Sequence, residues 1–213
     1  SGGGTYLWST GAITAAITVS PAIMTTYTVT VTNANGCSAT ASQTITVNPL
    51  PTPSITIAET SGTTNNDGII CSGSSATLTA SGGGTYLWST GAITATITVT
   101  PAGSTTYTVT VTNANGCIAT ASVNIVVNTA PAFTSVVTNL SSCTANDGSI
   151  AITMTAGTGP FIYNWSTPNG CGLVQGQEDQ SNLCAGTYFV TITSANGCPV
   201  TGSFNLDGPA PGC

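Results

Sequence analysis

The 213-residue chain has no Lys, Arg or His and only six acidic residues, for a formal net charge of −6. Without cations it has no means of neutralising phosphates or of docking electrostatically on anionic lipid, which excludes nucleic acid and charged membrane surfaces as partners. The imidazole base, the Schiff-base lysine and the arginine clamp are missing too, and no apolar run approaches the roughly 18 residues that span a bilayer.

What remains is rich in Val, Ile and above all Thr, of which there are 43. These residues suit a half-buried pleated surface, so the fold class expected is all-β. The chain begins with SGGGTYLWSTGAIT, which returns unchanged at Ser81, and residues 1–48 match residues 81–128 at 40 positions. Such near-identity is the pattern of a tandem array.

After the first copy comes a proline-rich linker, Asn48-Pro49-Leu50-Pro51-Thr52-Pro53. Period-two alternation then begins at Ile55 and Ile57 and recurs at Ala76, Leu78 and Ala80, then at Tyr86 and Trp88. It continues at Ile97 and Val99, at Tyr107, Val109 and Val111, and from Ala119 through Val127. Turn-forming clusters separate these runs, which predicts six or seven short strands and a small β-sandwich over residues 50–129. Asn115-Gly116 is expected to supply positive φ to the hairpin between the last two strands. In this frame SGGGTYLW lies mid-domain, at the entry to a central strand. Residues 1–49 then read as the C-terminal part of an incomplete unit whose first strands are absent.

A more distant unit is expected over residues 130–208. Tyr188 precedes Cys198 by ten residues, as Tyr107 precedes Cys117 and Tyr27 precedes Cys37. Tyr163-Asn164-Trp165-Ser166-Thr167 echoes Tyr86-Leu87-Trp88-Ser89-Thr90. Ala130-Pro131 and Pro209-Ala210-Pro211 flank this unit, with residues 209–213 leading to a following one. Proline-rich connectors are stiff, which favours an extended array of tandem Ig-like sandwiches.

The head of the last unit (Cys143, then Asp147-Gly148), GSIAITMTAGTGPFIYNWS over 148–166 and AGTYFVTITSANGC over 185–198 resemble an SprB-type repeat. YLWSTGA, the ITV-x-P strand and TYTVTVTNANGC in the first two units resemble the Ig-like repeats of the same class of protein. Such repeats belong to giant cell-surface adhesins of gliding bacteria, exported by type IX secretion. The resemblance spans nearly the whole chain and implies a stalk or adhesin, for attachment or gliding motility. Two departures are the absence of a type IX sorting domain and a Cys171–Cys184 loop longer than a minimal repeat needs.

Eight cysteines without metal-type spacing favour disulfides and an oxidising, extracellular setting. Cys71 and Cys117 are the only two in the complete second unit, so they are expected to pair and close a loop of about 46 residues. In the chain-entropy model that contributes roughly 3–4 kcal/mol. Cys143 with Cys198 is the equivalent bond in the third unit, leaving Cys171 with Cys184. Cys37 and Cys213 are left over. Either each pairs beyond the stretch seen here, or Cys213 of one chain meets Cys37 of the next to make a covalent polymer; the first is the expectation.

The aromatic pairs Tyr6/Trp8, Tyr86/Trp88 and Tyr163/Trp165 share one strand face at period two. That places them in the sandwich core rather than on sugar-stacking platforms. Residues 63–68 faintly resemble a calcium loop but lack its first Asp and its bidentate Glu. Glu178-Asp179 is read as a solvated pair. No catalytic residue, metal site or cofactor is expected, and the chain is not expected to be an enzyme.

The function expected is structural and adhesive, in a large secreted surface protein whose partners are neighbouring repeats, copies of itself, or surface polysaccharide. The alternatives are a self-assembling extracellular filament that exchanges strands or disulfides between chains, and a carbohydrate-binding module.

Overall fold

A computed structural model of the chain describes residues 4–209, and every regular element among them is a β-strand. Three strands come from the first copy: β1 (Thr5–Trp8), β2 (Thr25–Thr32) and β3 (Ser38–Ile45). They form one antiparallel sheet in the order β1-β2-β3.

Seven strands follow: β4 (Ser54–Ala58), β5 (Ile69–Cys71), β6 (Ala76–Ser81), β7 (Thr85–Trp88), β8 (Thr96–Val99), β9 (Thr105–Thr112) and β10 (Ile118–Asn128). Strict alternation decides which side of each strand is inside. In β9, Tyr107, Val109 and Val111 are buried while the intervening threonines stay accessible. These side chains meet Leu78, Ala80, Ile97 and Val99 from β6 and β8, with Trp88 between, in one apolar core. The sheet β4-β6-β8 thus faces the sheet β5-β10-β9-β7. Labelled as a sandwich, the orders are A-B-E and A′-G-F-C, with the buried Trp on strand C. That is the immunoglobulin-like arrangement.

Two features of this central sandwich differ from the sequence reading. β7, which carries Trp88, is at the edge of its sheet rather than its centre. Trp88 is only 2% exposed there because the facing sheet covers it. Second, β5 is a strand. It is three residues long and lies parallel to the end of β10, with Ile69 opposite Val126 and Cys71 opposite Asn128. Three residues are too few to show a period.

The last six strands are β11 (Ala132–Thr138), β12 (Gly148–Ala156), β13 (Ile162–Ser166), β14 (Gln180–Leu183), β15 (Gly186–Thr193) and β16 (Pro199–Leu206). They form sheets β11-β12-β14 and β13-β15-β16, which repeat the A-B-E and C-F-G orders. Ile150, Trp165, Leu183, Tyr188, Val190, Ile192 and Leu206 fill the second core.

Among the described residues no second sheet covers β1-β2-β3. Trp8, Tyr27, Val29 and Val31 are only half-buried, whereas their counterparts Trp88, Tyr107, Val109 and Val111 are buried. β3 stops at Ile45, although β10 runs on through Val126–Asn128, the residues that β5 holds. Ile17-Thr18-Val19 forms no strand, whereas the identical Ile97-Thr98-Val99 lies in β8 on β6.

Candidate functional site at the sandwich junction

Each β-sheet of the C-F-G type carries one hairpin that ends in cysteine: Asn33–Cys37, Asn113–Cys117 and Ser194–Cys198. In the central one, the N–H of Gly116 donates to the carbonyl of Asn113 and the N–H of Asn113 to the carbonyl of Cys117, both at 3.0 Å. Only Gly116 has positive φ (77°), so Asn115 does not share that role as the sequence had suggested. The Asn113 side-chain oxygen supplies the missing order by accepting from the N–H groups of Asn115 and Cys117, each at 3.0 Å. This is a three-residue loop with a closing glycine rather than a two-residue turn.

The C-terminal hairpin seats against a loop of the central sandwich. That loop, between β4 and β5, is built on Glu59, which is 4% exposed. Its carboxylate accepts from the N–H groups of Ser61 (2.9 Å) and Asp67 (3.1 Å). The Ser61 hydroxyl then accepts from the Cys71 N–H at 3.2 Å. A buried carboxylate is costly unless hydrogen-bonded, and here the loop backbone supplies the donors. Across the junction, a Cβ added to Gly197 would lie 2.5 Å from the Gly62 carbonyl carbon and 2.6 Å from the Thr63 nitrogen. The close approach needs glycine at Gly197, and the backbone favours glycine in both loops, with φ at +77° for Gly197 and +89° for Gly62.

At this contact Cys71 is bonded to Cys198, with 5.5 Å between the Cα atoms and 127 residues between them in sequence. Two expected pairings are thereby overturned. Cys71 does not take Cys117, because the two lie at opposite ends of β10. Cys117 immediately precedes its first residue, while Cys71 sits beside its last, Asn128. Eleven residues at about 3.3 Å each separate the ends by more than 30 Å, far beyond disulfide reach. Cys117 and Cys37 carry free thiols. Cys198 does not take Cys143, which is disulfide-bonded in its own right. Cys213 lies outside the described residues.

The bond between Cys171 and Cys184 closes the long loop of the C-terminal sandwich. Tyr188, fully buried, has the carbonyls of Cys171 (2.9 Å) and Cys184 (2.8 Å) as two acceptors for its one hydroxyl proton, and its oxygen accepts from the Cys171 N–H (3.1 Å). Gln175 is clipped to both backbone groups of Trp165, and Gln180 to both of Val174. The acidic pair in this loop is not merely solvated, contrary to the sequence reading. Asp179 accepts from the Ile152 N–H at 2.8 Å. Burial, followed by hydrogen bonding to Glu178, pushes the Tyr163 hydroxyl up to about 12. Asp147 is held below its ordinary value by hydrogen bonds from Ser141.

The remaining aromatic side chains sort by cover. Trp88, Trp165 and Tyr163 are buried, Tyr86 is half-buried against the central core, and Tyr6 and Trp8 are half-buried on the open sheet. The three indoles donate to backbone carbonyls of Thr14, Thr94 and Gln177, each at 2.9 Å. On the open face, Trp8, Ile17, Val19, Tyr27, Gln43 and Ile45 line a shallow groove of about 180 Å³. In the calcium-like stretch, Asp67 turns its carboxylate onto the Ile69 N–H at 2.8 Å. Among the described residues no group of three or more His, Cys, Asp or Glu is placed to hold a metal.

The sequence reading missed Glu59, Gly62 and Gly197. A lone acid directly after the strand-like run Ile55-Thr56-Ile57-Ala58 was the available signal for the first, since an acid that close to the core must find donors. Nothing local marks the two glycines as partners.

No protein-family model and no curated protein matches the sequence. Among solved structures it is similar to the N-terminal eight Ig domains of Down syndrome cell adhesion molecule, at 13% identity and TM-score 0.48, over 86% of this chain and 27% of that one. It is also similar to titin domains I67–I69 (15%, TM-score 0.36, covering 88% and 75%) and to the insect immune protein hemolin (12%, 0.34, covering 85% and 55%). The chain therefore spans about a quarter of the length of the first of these. At such identities and scores the fold assignment rests on the strand order above.

Proposed function

We propose that this chain is a non-catalytic, structural and adhesive stretch of a large secreted cell-surface protein, built as a tandem array of Ig-like units. The units are residues 1–49 (the C-terminal part of one), 50–129 and 130–208, with 209–213 leading onward. The observation that carries this reading is the Cys71–Cys198 bond across a junction. A pull along the chain enters the bond at Cys71 and leaves at Cys198, so everything between them is shielded from extension. Such a bond suits an oxidising environment outside the cell and a load-bearing role. The resemblance of its motifs to SprB-type and Ig-like repeats supports an array of the kind carried by gliding-bacterium adhesins exported by type IX secretion, with neighbouring units, copies of itself or surface polysaccharide as the proposed partners.

A filament subunit is the second reading, favoured by the half-buried face of β1-β2-β3, which strands from another chain would cover. A carbohydrate-binding module is disfavoured by the burial of Trp88 and Trp165, which removes the rings a sugar would stack on.

Single-molecule stretching of the full chain tests the mechanical reading. With 127 residues shielded at about 3.5 Å each, reductant is expected to release roughly 440 Å of additional length. Equal extension with and without reductant would overturn it.

A further inference from the structure

We propose that the Cys71–Cys198 bond is one link of a repeating staple, and that Cys117 is the acceptor for the preceding link. Its partner would be a cysteine at the Cys71 position of the unit ahead, delivered by a short strand parallel to residues 46–48.

Three observations converge on this. First, Cys117 and Cys198 occupy the same place in the same hairpin. The N–H of the first hairpin residue donates to the cysteine carbonyl at 3.0 Å in both. Second, Cys117 is already seated at a junction. Its sulfur lies 3.9 Å from the Asn48 carbonyl, and the Asn113 side chain donates to the Pro49 carbonyl at 2.9 Å. Asn48 is the counterpart of Asn128, the residue paired with Cys71. The place beside Asn48 is therefore the place from which Cys71 reaches Cys198 one unit later. Third, burial grades with junction completeness: Cys198 is buried, Cys117 half-buried and Cys37 exposed.

The unpaired edge of residues 46–48 fits the same strand. Val47 and Asn48 are identical to Val127 and Asn128, yet β3 ends before them while β10 includes their counterparts. Cys117 falls between Cys71 and Cys198 in sequence, so successive staples would overlap and leave no stretch between links unshielded.

The chemistry needs a disulfide oxidant such as glutathione disulfide. The Cys117 thiolate attacks it, forms a mixed disulfide and expels one glutathione thiolate. The incoming cysteine thiolate then attacks the Cys117 sulfur, forms the protein S–S bond and expels the second. The two protons lost by the protein thiols end on the two glutathiones.

The inference rests on the array reading but is tested at a different bond. Residues 49–80, which contain β4, β5 and most of β6, are fused ahead of Ser1 of the full chain, and the product is oxidised in glutathione buffer. Peptide mapping without reductant is expected to join Cys117 to the added cysteine, with alkylation of Cys117 lost and that of Cys37 kept. Trp8 fluorescence is expected to shift to the blue as the added strands cover it. Cys117 left alkylatable, bonded to Cys71, or an unshifted Trp8 overturns the proposal. A second arm leaves the chain unaltered and adds a peptide of residues 64–75 in the same buffer. Mixed disulfide at Cys117 in preference to Cys37 supports the proposal, and equal labelling contradicts it.

Discussion

Residues 1–48 and 81–128 are almost the same sequence in two situations. Both make the same three strands in the same register: Trp8 lies opposite Val29, and Trp88 opposite Val109. Beyond that they part. The second copy buries its Trp, Tyr and Val side chains against β4-β6-β8, extends its last strand by pairing with β5, and adds β8. The first does none of these. Hairpin and pleat are set locally by alternation and by the Asn-to-cysteine loop. The core and the outer strands form only when a partner sheet supplies the other side.

The largest effect should come from the staple. Cys198→Ser opens a loop of 127 residues, and the chain-entropy model puts the loss at about 5 kcal/mol. Cys37→Ser, at the equivalent hairpin, should change stability by less than about 0.5 kcal/mol. Chemical denaturation of both variants measures the contrast. Comparable losses would mean the junction bond does not stabilise the fold.

Next comes the core itself. Trp88→Ala is expected to destabilise the central sandwich by about 3–5 kcal/mol, as large-to-small changes in packed cores do. Trp8→Ala removes the same side chain from an open face and should cost only a small fraction of that. If the two proved equally costly, the first copy would have to be covered in solution.

The C-terminal sandwich adds something neither copy has, since residues 1–48 and 81–128 contain no acids. Tyr163, raised to about 12 by burial and Glu178, titrates above its unfolded counterpart near 10. The stability it confers is complete below pH 10 and is lost as pH rises toward 12, by about 2–3 kcal/mol. Thermal melts across that window should show the loss in the native chain and not in Tyr163→Phe. Glu178→Gln should narrow the window.

The smallest effects should be indifferent to cover. The Thr26 hydroxyl pairs with Thr44 at 2.8 Å and the Thr106 hydroxyl with Asn124 at 3.2 Å, both on outward faces. Thr26→Ala and Thr106→Ala should each cost about 0.2–1 kcal/mol, as cross-strand pairs do. A clear difference would mean that outward pairs also depend on the facing sheet.

These contrasts also mark what the sequence could disclose. Alternation from Ile55 to Val127 was enough to place six of the seven strands of the central sandwich and the side chains inside it. The all-β class followed from Thr, Val and Ile. The disulfide pairing was not legible, because counting cysteines unit by unit assumes that bonds stay within units. Deciding against Cys117 needs the position of Cys71 along β10, and β5 is too short to announce itself. Glu59 and the Gly62–Gly197 contact were hidden for other reasons: Glu59 takes its donors from an irregular loop that shows no period, and the two glycines meet across two sandwiches.

One measurement addresses the junction staple directly: peptide mapping of the oxidised, unreduced chain after chymotrypsin digestion, since trypsin has no site in a chain without Lys or Arg. A disulfide-linked fragment joining Cys71 to Cys198, with Cys117 recovered as an alkylated thiol, is the predicted result. A fragment joining Cys71 to Cys117 would contradict it.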